Sequence, residues 1–405
     1  MLFQIGIFAQ KTEELSMSHY DHHQFGFSTR AIHAGQEPDP LTGAVTVPLY
    51  QTSTYAQEAI GVHKGFEYAR TQNPTRFAWE ASMANLEQGC AGFAFGSGMA
   101  AIDAVMRLLS SGDHVICAED MYGGTFRLFD KVLKRFGVEF SVVDMTNLDD
   151  VKSAIRTGAT KFIYTESPTN PMMKLTDIAA LASIAHEANA LLIVDNTFAS
   201  PYAQKPLALG ADIVLHSATK YLGGHSDLVS GIVVAKEPEI AEQLRFIQNA
   251  AGAVPGPMEC WLCLRSIKTL SIRMKQHAEN AMAIAEYCEQ HPAISATHYP
   301  GLPTHPQYAL AKQQMTGFGG MISIELGSLE QAKKFTTSVK LFTLAESLGG
   351  VESLVCHPVS MTHGSIPKEQ REKLGITDGL VRLSCGIEDK EDLLADIAQA
   401  LDALS

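Results

Sequence analysis

Five short apolar runs, separated by helical patterns, constrain the fold of this 405-residue chain. Each run is continuously apolar instead of alternating, which is typical of strands that are buried on both faces. We predict strands at His114 to Cys117, Phe162 to Thr165, Leu191 to Val194, Ile213 to Leu215 and Gly231 to Ala235. Helical patterns between them include Asp149 to Ile155 and Asp177 to Ala188. The alternation predicts an α/β fold with a mostly parallel central sheet covered by helices.

The pattern changes near residue 260, which indicates a second, smaller α+β domain. A long helical pattern from Ile267 to Gln290 is followed by shorter strands such as Gly320 to Glu325, and by a last helix from Lys390 to Leu404. Prolines and glycines interrupt the early residues, which favours an extended arm there. Met17 could equally be the true start. We therefore predict an extension over 1–24, an N-terminal arm over 25–69, a large domain over 70–265 and a small domain over 266–405.

The composition excludes several classes of protein. The formal net charge of −13 gives no basic footprint for nucleic acid, and no apolar run approaches the ~18 residues of a membrane span. Seven cysteines at irregular spacing argue against a disulfide framework and favour a reducing cytosol. Cys260 and Cys263 form a lone Cys-x-x-Cys pair, which we interpret as one turn of a core helix and not as a redox or zinc site.

A polar turn follows the strand predicted at Ile213 to Leu215. It holds Ser217, Thr219 and Lys220, at the strand end where α/β sheets bind ligands. A lysine amine can react with an aldehyde, and hydroxyl groups can hold a phosphate. The combination indicates pyridoxal phosphate (PLP), although a surface lysine after a strand is the simpler alternative.

A carboxylate follows the preceding strand. Asp195 comes directly after Val194 and precedes Lys220 by 25 residues, which is room for a strand–helix–strand return. PLP needs an anion beside its pyridine nitrogen, because a protonated ring is the better electron sink. Alone, Asp195 could equally be a helix N-cap.

A glycine loop from Gly96 to Gly98 precedes a helical pattern that continues to Leu109. Glycines let backbone amides approach a phosphate, and the N-terminus of a helix favours an anion. The loop lacks the third glycine of a dinucleotide fingerprint and the Lys-Ser/Thr of a P-loop. We therefore expect it to form the other half of a phosphate site.

Over about Ala44 to Leu404 the sequence resembles the Cys/Met-metabolism PLP enzymes, the family of cystathionine γ-synthase, cystathionine β- and γ-lyases and methionine γ-lyase. Besides the three segments above, the resemblance rests on Tyr68-Ala69-Arg70, Asn73-Pro74-Thr75, Tyr122-Gly123-Gly124-Thr125, Glu166-Ser167-Pro168-Thr169-Asn170-Pro171 and Arg382-Leu383-Ser384. It implies the type I PLP fold, which is like that of aspartate aminotransferase. It also implies a homotetramer of two dimers, with active sites at the dimer interface.

The resemblance assigns the cofactor's contacts residue by residue. Lys220 would be the Schiff-base lysine and proton shuttle, Asp195 would pair with the pyridinium nitrogen, and Tyr122 would stack on the ring and assist acid–base steps. The phosphate would be held by Ser217, Thr219, the backbone of Gly98 and Met99, and, from the neighbouring subunit's arm, Tyr68 and Arg70.

The amino-acid substrate has its own set of residues by the same resemblance. Arg382 would clamp the substrate carboxylate, helped by Asn170 and Ser347. Glu346 and Arg127 would meet the distal end of the substrate, where a carboxylate could hold the distal ammonium of cystathionine.

Three features favour one member of the family. Methionine γ-lyases typically carry cysteine where this chain has Gly124, and Glu346 matches an acid shared by γ-lyases and γ-synthases. The runs from Gly65 to Tyr68 and from Met361 to Pro367 are more similar to those of γ-lyases. We expect a cystathionine γ-lyase, with cystathionine γ-synthase as the alternative, and β-lyase or methionine γ-lyase less favoured.

Two further classes stay open. The fold could serve a PLP carrier or a non-catalytic scaffold subunit if Lys220 were not engaged. A nicotinamide dehydrogenase would need the Gly96 loop to be a dinucleotide fingerprint, which its missing third glycine disfavours.

Overall fold

The computed structural model describes residues 24–364 and 368–404. Met17 and nearly all of the expected extension lie outside the described residues. The helices are α1 Phe27–His33, α2 Pro74–Glu87, α3 Gly98–Met106, α4 Gly123–Arg127, α5 Leu148–Ala154, α6 Ile178–Glu187, α7 Ser200–Ala203, α8 Pro238–Ala251, α9 Pro257–Ile267, α10 Leu270–Gln290, α11 Tyr308–Gln314, α12 Leu329–Ser338, α13 Lys368–Lys373 and α14 Lys390–Asp402. The strands are β1 Ala91–Phe95, β2 His114–Ala118, β3 Glu139–Val143, β4 Thr160–Glu166, β5 Leu191–Asp195, β6 Ile213–Ser217, β7 Gly231–Ala235, β8 Ala296–His298, β9 Met321–Glu325, β10 Thr343–Leu344, β11 Leu354–Cys356 and β12 Leu380–Ser384.

The first sheet has seven strands in the order β1-β7-β6-β5-β4-β2-β3. Strands β3, β2, β4, β5 and β6 pair in parallel, which confirms the prediction of a mostly parallel sheet. Strand β7 runs antiparallel to both β1 and β6, so the predicted strand at Gly231 to Ala235 exists but reverses direction. Strands β1 and β3 are not among the runs predicted from sequence.

Both faces of this sheet are buried, which explains the continuous apolar runs. In β5, Leu192 and Val194 pack into one core, whereas Ile193 packs into the other. Ile213 and Leu215 of β6 join the same second core as Ile193. Because each face has a core, the strand interiors are mostly apolar, and the polar candidates for ligand chemistry stand at the strand ends.

The second sheet has five strands in the order β10-β11-β12-β9-β8 and a separate core of its own. Helices α10 and α14 supply residues such as Ile284 and Ile397 to this core. Strand β12 carries Arg382, and Ser347 follows β10 by three residues. The functional candidates therefore come from both sheets.

The N-terminal arm is less extended than predicted. Helix α1 spans Phe27–His33, and the irregular stretch after it leaves several apolar side chains exposed, among them Leu41, Val45, Ile60 and Val62. Within the described residues, the only β-bridges of the arm are two isolated ones, from Thr54 to Tyr68 and from Ala59 to Val62.

The long helix predicted from Ile267 begins instead at Leu270. Helix α9 ends at Ile267, and the Arg273 guanidinium donates hydrogen bonds to the Ser266 and Tyr221 carbonyl oxygens beside the break. Cys260 and Cys263 are buried in α9, which confirms that they belong to a core helix. All seven cysteines are free thiols. Within residues 24–364 and 368–404, every helix is too short or too polar to cross a bilayer.

Candidate active site

Three neighbouring parallel strands end side by side at one edge of the first sheet. Glu166 at the end of β4 is in register with Asp195 at the end of β5, and Asp195 is in register with Leu215 of β6. Ser217 ends β6, and the turn with Thr219 and Lys220 follows. The predicted strand-end cluster is therefore present.

The Lys220 amine lies between the two sheets. Its Nζ donates a hydrogen bond of 2.7 Å to Ser347 Oγ. Burial and, secondarily, the Arg382 guanidinium lower the pKa of Lys220 to about 8, while the Glu346 carboxylate opposes the shift. Ser347 has a φ of 91°, a left-handed conformation that non-glycine residues rarely adopt. A lysine with this pKa has a much larger neutral fraction near neutral pH than an ordinary lysine, which suits both aldehyde chemistry and proton transfer.

Asp195 is a buried carboxylate held by two donors. The Thr197 backbone N–H and hydroxyl donate to Asp195 Oδ1 at 3.0 and 2.5 Å. Burial raises the pKa of Asp195, and the Thr197 hydrogen bonds oppose that rise. Burial and, after it, the neighbouring Asp195 and Asp120 carboxylates raise the pKa of Glu166 well above its usual range. A buried anion at Asp195 fits a cationic ring nitrogen.

The glycine loop lies directly against the β6 turn. A Cβ at Gly98 would lie 2.8 Å from Ser217 Cβ, so only glycine permits this approach. Helix α3 begins at Gly98, and the N–H groups of its first turn, which includes Met99, have no acceptor within the helix. In the turn after β6, the Thr219 hydroxyl accepts from the Ser230 backbone N–H at 3.1 Å and donates to the Ser230 carbonyl at 3.3 Å. Hydroxyls and helix amides facing one another fit a phosphate.

Tyr122 stands at the N-terminus of α4, and its side chain is about a third exposed. Its backbone N–H donates to Glu166 Oε2 at 3.2 Å. A Cβ at Gly124 would lie 2.4 Å from Tyr122 Cε1, so glycine gives the ring its position. Arg127 ends the same short helix and is exposed.

Arg382 is buried beside Lys220 and is anchored at two points. One guanidinium nitrogen donates to Asn170 Oδ1 at 2.8 Å and the other to the Ser347 carbonyl at 2.9 Å. Its Nε has no hydrogen-bond partner in the described part of the chain. A fixed guanidinium with a spare donor fits a carboxylate. Glu346 is exposed next to Ser347, at the rim of the site.

Tyr68 and Arg70 do not join this cluster within the chain. The Arg70 guanidinium donates to the Asn249 carbonyl and side-chain oxygens, and it lies 5.6 Å from the centre of the Tyr68 ring. Tyr68 is half exposed. Their predicted contact with a neighbouring subunit's phosphate stays a prediction.

Sequence reasoning missed the roles of Glu166 and Thr197. Glu166 supports the Tyr122 backbone, and Thr197 holds Asp195. The role of Glu166 could have been found from the sequence, because an acidic residue stands there at the end of an apolar run. A threonine two residues after a candidate carboxylate is a weaker signal, because such short polar turns are common.

The comparisons with known proteins agree with this geometry. The family model described as Cys/Met metabolism PLP-dependent enzyme matches residues 28–402. The chain is 57% identical to a cystathionine gamma-lyase of Bacillus subtilis over 374 residues, which cover 92% of this chain and 98% of the relative. It is 56% identical to a cystathionine beta-lyase of Coxiella burnetii over 376 residues, covering 92% and 97% of the two chains.

Two further similarities complete the comparison. A cystathionine gamma-synthase of Mycobacterium tuberculosis is 53% identical over 379 residues, covering 93% of this chain and 97% of that one. The crystal structure of a cystathionine gamma-lyase from Lactobacillus plantarum, complexed with L-serine, has a TM-score of 0.91 and 51% identity, covering 94% and 99%.

The fold is therefore the type I PLP fold, and the cofactor of this family is pyridoxal phosphate. Lys220, Asp195 and the Gly98 loop beside Ser217 are its candidate contacts. Three activities occur among relatives of nearly equal identity. They share trans-sulfuration chemistry on cystathionine, as substrate or product. This chain belongs to the Cys/Met metabolism PLP-dependent enzymes.

Proposed function

We propose that this enzyme is a cystathionine γ-lyase, which cleaves L-cystathionine by α,γ-elimination to L-cysteine, 2-oxobutanoate and ammonia. The observation that carries the choice of cystathionine as the ligand is the position of Glu346, and the γ-lyase-like runs from Gly65 to Tyr68 and from Met361 to Pro367 favour the lyase over the synthase. The Glu346 carboxylate is exposed at the rim, yet it is close enough to Lys220 to affect the pKa of the amine. A carboxylate there suits a substrate with a second ammonium group at its distal end.

In this proposal some of the residues bind the substrate and others transfer protons. Arg382, held by Asn170 and the Ser347 carbonyl, would bind the substrate carboxylate and so orient the α-proton toward Lys220. The neutral Lys220 amine would take the α-proton, give that proton up again, and only then, neutral once more, take a β-proton, with Ser347 Oγ holding the amine in place. The bound cofactor supplies the electron sink for the α-carbon. Tyr122 would assist the departure of the thiol as a general acid.

Other activities are disfavoured to different degrees. Gly124 argues against methionine γ-lyase, because methionine γ-lyases typically carry a cysteine at this position, and the Tyr122 ring here occupies the space of a Cβ. Cystathionine γ-synthase shares the Glu346 argument and stays the main alternative. Identity does not separate γ- from β-lyase, since relatives bearing both names are 57% and 56% identical.

The test is to incubate the PLP-loaded enzyme with L-cystathionine and to identify the keto acid and the thiol. Cysteine with 2-oxobutanoate supports γ-elimination. Homocysteine with pyruvate would mean β-cleavage and would overturn the γ-lyase proposal. If nothing is released, γ-synthase is tested with an O-acyl-L-homoserine and cysteine. Lys220→Ala is the inactive control.

The quaternary structure and the compartment belong to the same proposal. The exposed apolar side chains of the arm, such as Leu41 and Ile60, support a homotetramer in which the arm packs on a neighbouring subunit. Seven free thiols support a reducing cytosol.

A further inference from the structure

His363 is a fully buried histidine with both ring nitrogens engaged. Its Nε2 lies 3.0 Å from the Asn170 carbonyl oxygen, and its Nδ1 lies 2.8 Å from the Thr362 hydroxyl. A carbonyl oxygen can only accept, so Nε2 carries the hydrogen and Nδ1 accepts the Thr362 hydroxyl proton. The partners of the ring therefore determine its tautomer.

The His363 ring is neutral. Burial, helped by the Arg382 and Arg371 charges, lowers the pKa of His363 to about 4. A neutral ring can direct a hydrogen bond at Asn170 without adding a second positive charge beside Arg382. The His363 ring therefore contributes a directed hydrogen bond to the site and no charge.

The hydrogen bonds continue from His363 to the catalytic lysine. Asn170, whose carbonyl meets His363, uses its side-chain oxygen to accept from Arg382. Arg382 donates in turn to the Ser347 carbonyl, and Ser347 accepts from Lys220. Each of these contacts is between 2.7 and 3.0 Å. The Asn170 backbone is thus the link between His363 and the guanidinium.

We propose that His363 is a positioning residue for the substrate's α-carboxylate: its Nε2–H fixes the Asn170 carbonyl, so that the Asn170 side chain holds Arg382 in the orientation that binds a carboxylate. This rests on the role proposed above for Arg382. The proposal predicts that loss of the His363 donor weakens the binding of ligands that carry an α-carboxylate and does not change the binding of ligands that lack one.

The test compares two probes that differ only in that carboxylate, L-serine and ethanolamine. Binding to the holoenzyme is measured by the change in absorbance of the bound cofactor. In His363→Leu, which removes the donor, we expect L-serine to bind ~10-fold more weakly and ethanolamine to be unchanged. His363→Gln keeps an uncharged N–H donor, and we expect it to restore most of the L-serine affinity.

Thr362→Val and Thr362→Ser give a milder pair, usable even if the leucine variant does not fold. Valine removes the hydroxyl that donates to His363 Nδ1 and so supports the tautomer set by the Asn170 carbonyl. We therefore expect a ~3-fold loss of affinity for L-serine alone in Thr362→Val, and no loss in Thr362→Ser, which keeps the hydroxyl. Equal weakening of both probes, or unchanged L-serine binding, in the valine and leucine variants would overturn the proposal.

Arg382→Lys separates this proposal from the function on which it rests. If the wild-type enzyme does not prefer L-serine over ethanolamine, or if Arg382→Lys leaves that preference intact, the carboxylate role of Arg382 fails and His363 fails with it. If Arg382→Lys abolishes the preference and His363→Leu does not alter it, only the His363 proposal is overturned. Neither readout depends on cystathionine turnover.

Discussion

Burial of the Lys220 ε-amine lowers the unfolding free energy of the protein by an amount that depends on pH. The pKa of this amine in the folded protein is about 8, below the ordinary value of 10.5. Between these two pH values the unfolded chain binds more protons than the folded one, so the Lys220 contribution to the unfolding free energy rises with pH. Below pH 8 the charged amine destabilises the fold.

Lys220→Met should therefore stabilise the cofactor-free protein while abolishing activity. We expect its unfolding free energy at pH 7 to exceed that of the wild type by about 2 kcal/mol, and the excess to disappear by pH 10.5. Urea unfolding of both cofactor-free proteins at several pH values measures this. A difference that does not change with pH would contradict it, and other groups that titrate in this range cancel in the comparison.

A second residue-scale prediction concerns the space beside Tyr122. A Cβ at position 124 would meet the edge of the Tyr122 ring and, at 3.0 Å, Met99 Sδ. Both contacts are with movable side chains, so Gly124→Ala should displace the ring and leave the fold intact. We expect kcat/KM for cystathionine to fall ~10-fold with little change in Tm. Gly26→Ala, where nothing lies within 4 Å of the new methyl group, is the matched control and should change neither. An unchanged kcat/KM in Gly124→Ala would show that the ring position is unimportant.

At the scale of elements, helix α14 organises the turn that leads to Glu346. The Asp396 carboxylate, which is buried, accepts backbone N–H bonds from Lys340, Leu341 and Phe342 at 2.7 to 3.2 Å. These three residues directly precede β10. Three backbone donors thus depend on one carboxylate.

Asp396→Ala should leave those donors unpaired. We expect a loss of about 2–3 kcal/mol in unfolding free energy, because hydrogen bonds to a charged group are worth more than neutral ones. Denaturant unfolding of the holoenzyme gives the value. Asp402→Ala, on the same helix but exposed, should cost under about 0.5 kcal/mol. Equal losses in the two variants would mean that the turn does not depend on Asp396.

A strand or helix could be predicted from the sequence where its pattern depends only on residues that are close along the chain. The runs at Leu191 and Ile213 are apolar because both sheet faces are buried, and each appears as a strand within two residues of the predicted end. The direction of β7 is not local, because it depends on pairing with β1 and β6. The helix break before Leu270 likewise coincides with a non-local contact, the hydrogen bond from Arg273 to the distant Tyr221 carbonyl.

At the scale of the whole molecule, the site is assembled from distant parts of the chain. Lys220 and Ser347 are 127 residues apart, and Asn170 and Arg382 are 212 apart. Residues with a recognisable chemistry, such as Lys220 and Asp195, could be proposed as site residues from their position at strand ends. The link from His363 to Asn170 could not, because nothing in the sequence shows that a loop after β11 meets the end of β4.

The final prediction concerns whether one chain forms a complete site. Arg70 contacts Asn249 and no residue of the Lys220 turn in the described contacts, which is consistent with its acting on a neighbouring subunit. Lys220→Ala and Arg70→Ala proteins, each nearly inactive alone at limiting PLP, should then complement one another after being mixed, unfolded and refolded. Random pairing makes half of the dimers mixed, each with one intact site of two, so about a quarter of wild-type activity should return. Each variant refolded alone is the control. If Arg70 served its own chain's site, every site in the mixture would stay defective and no activity would return.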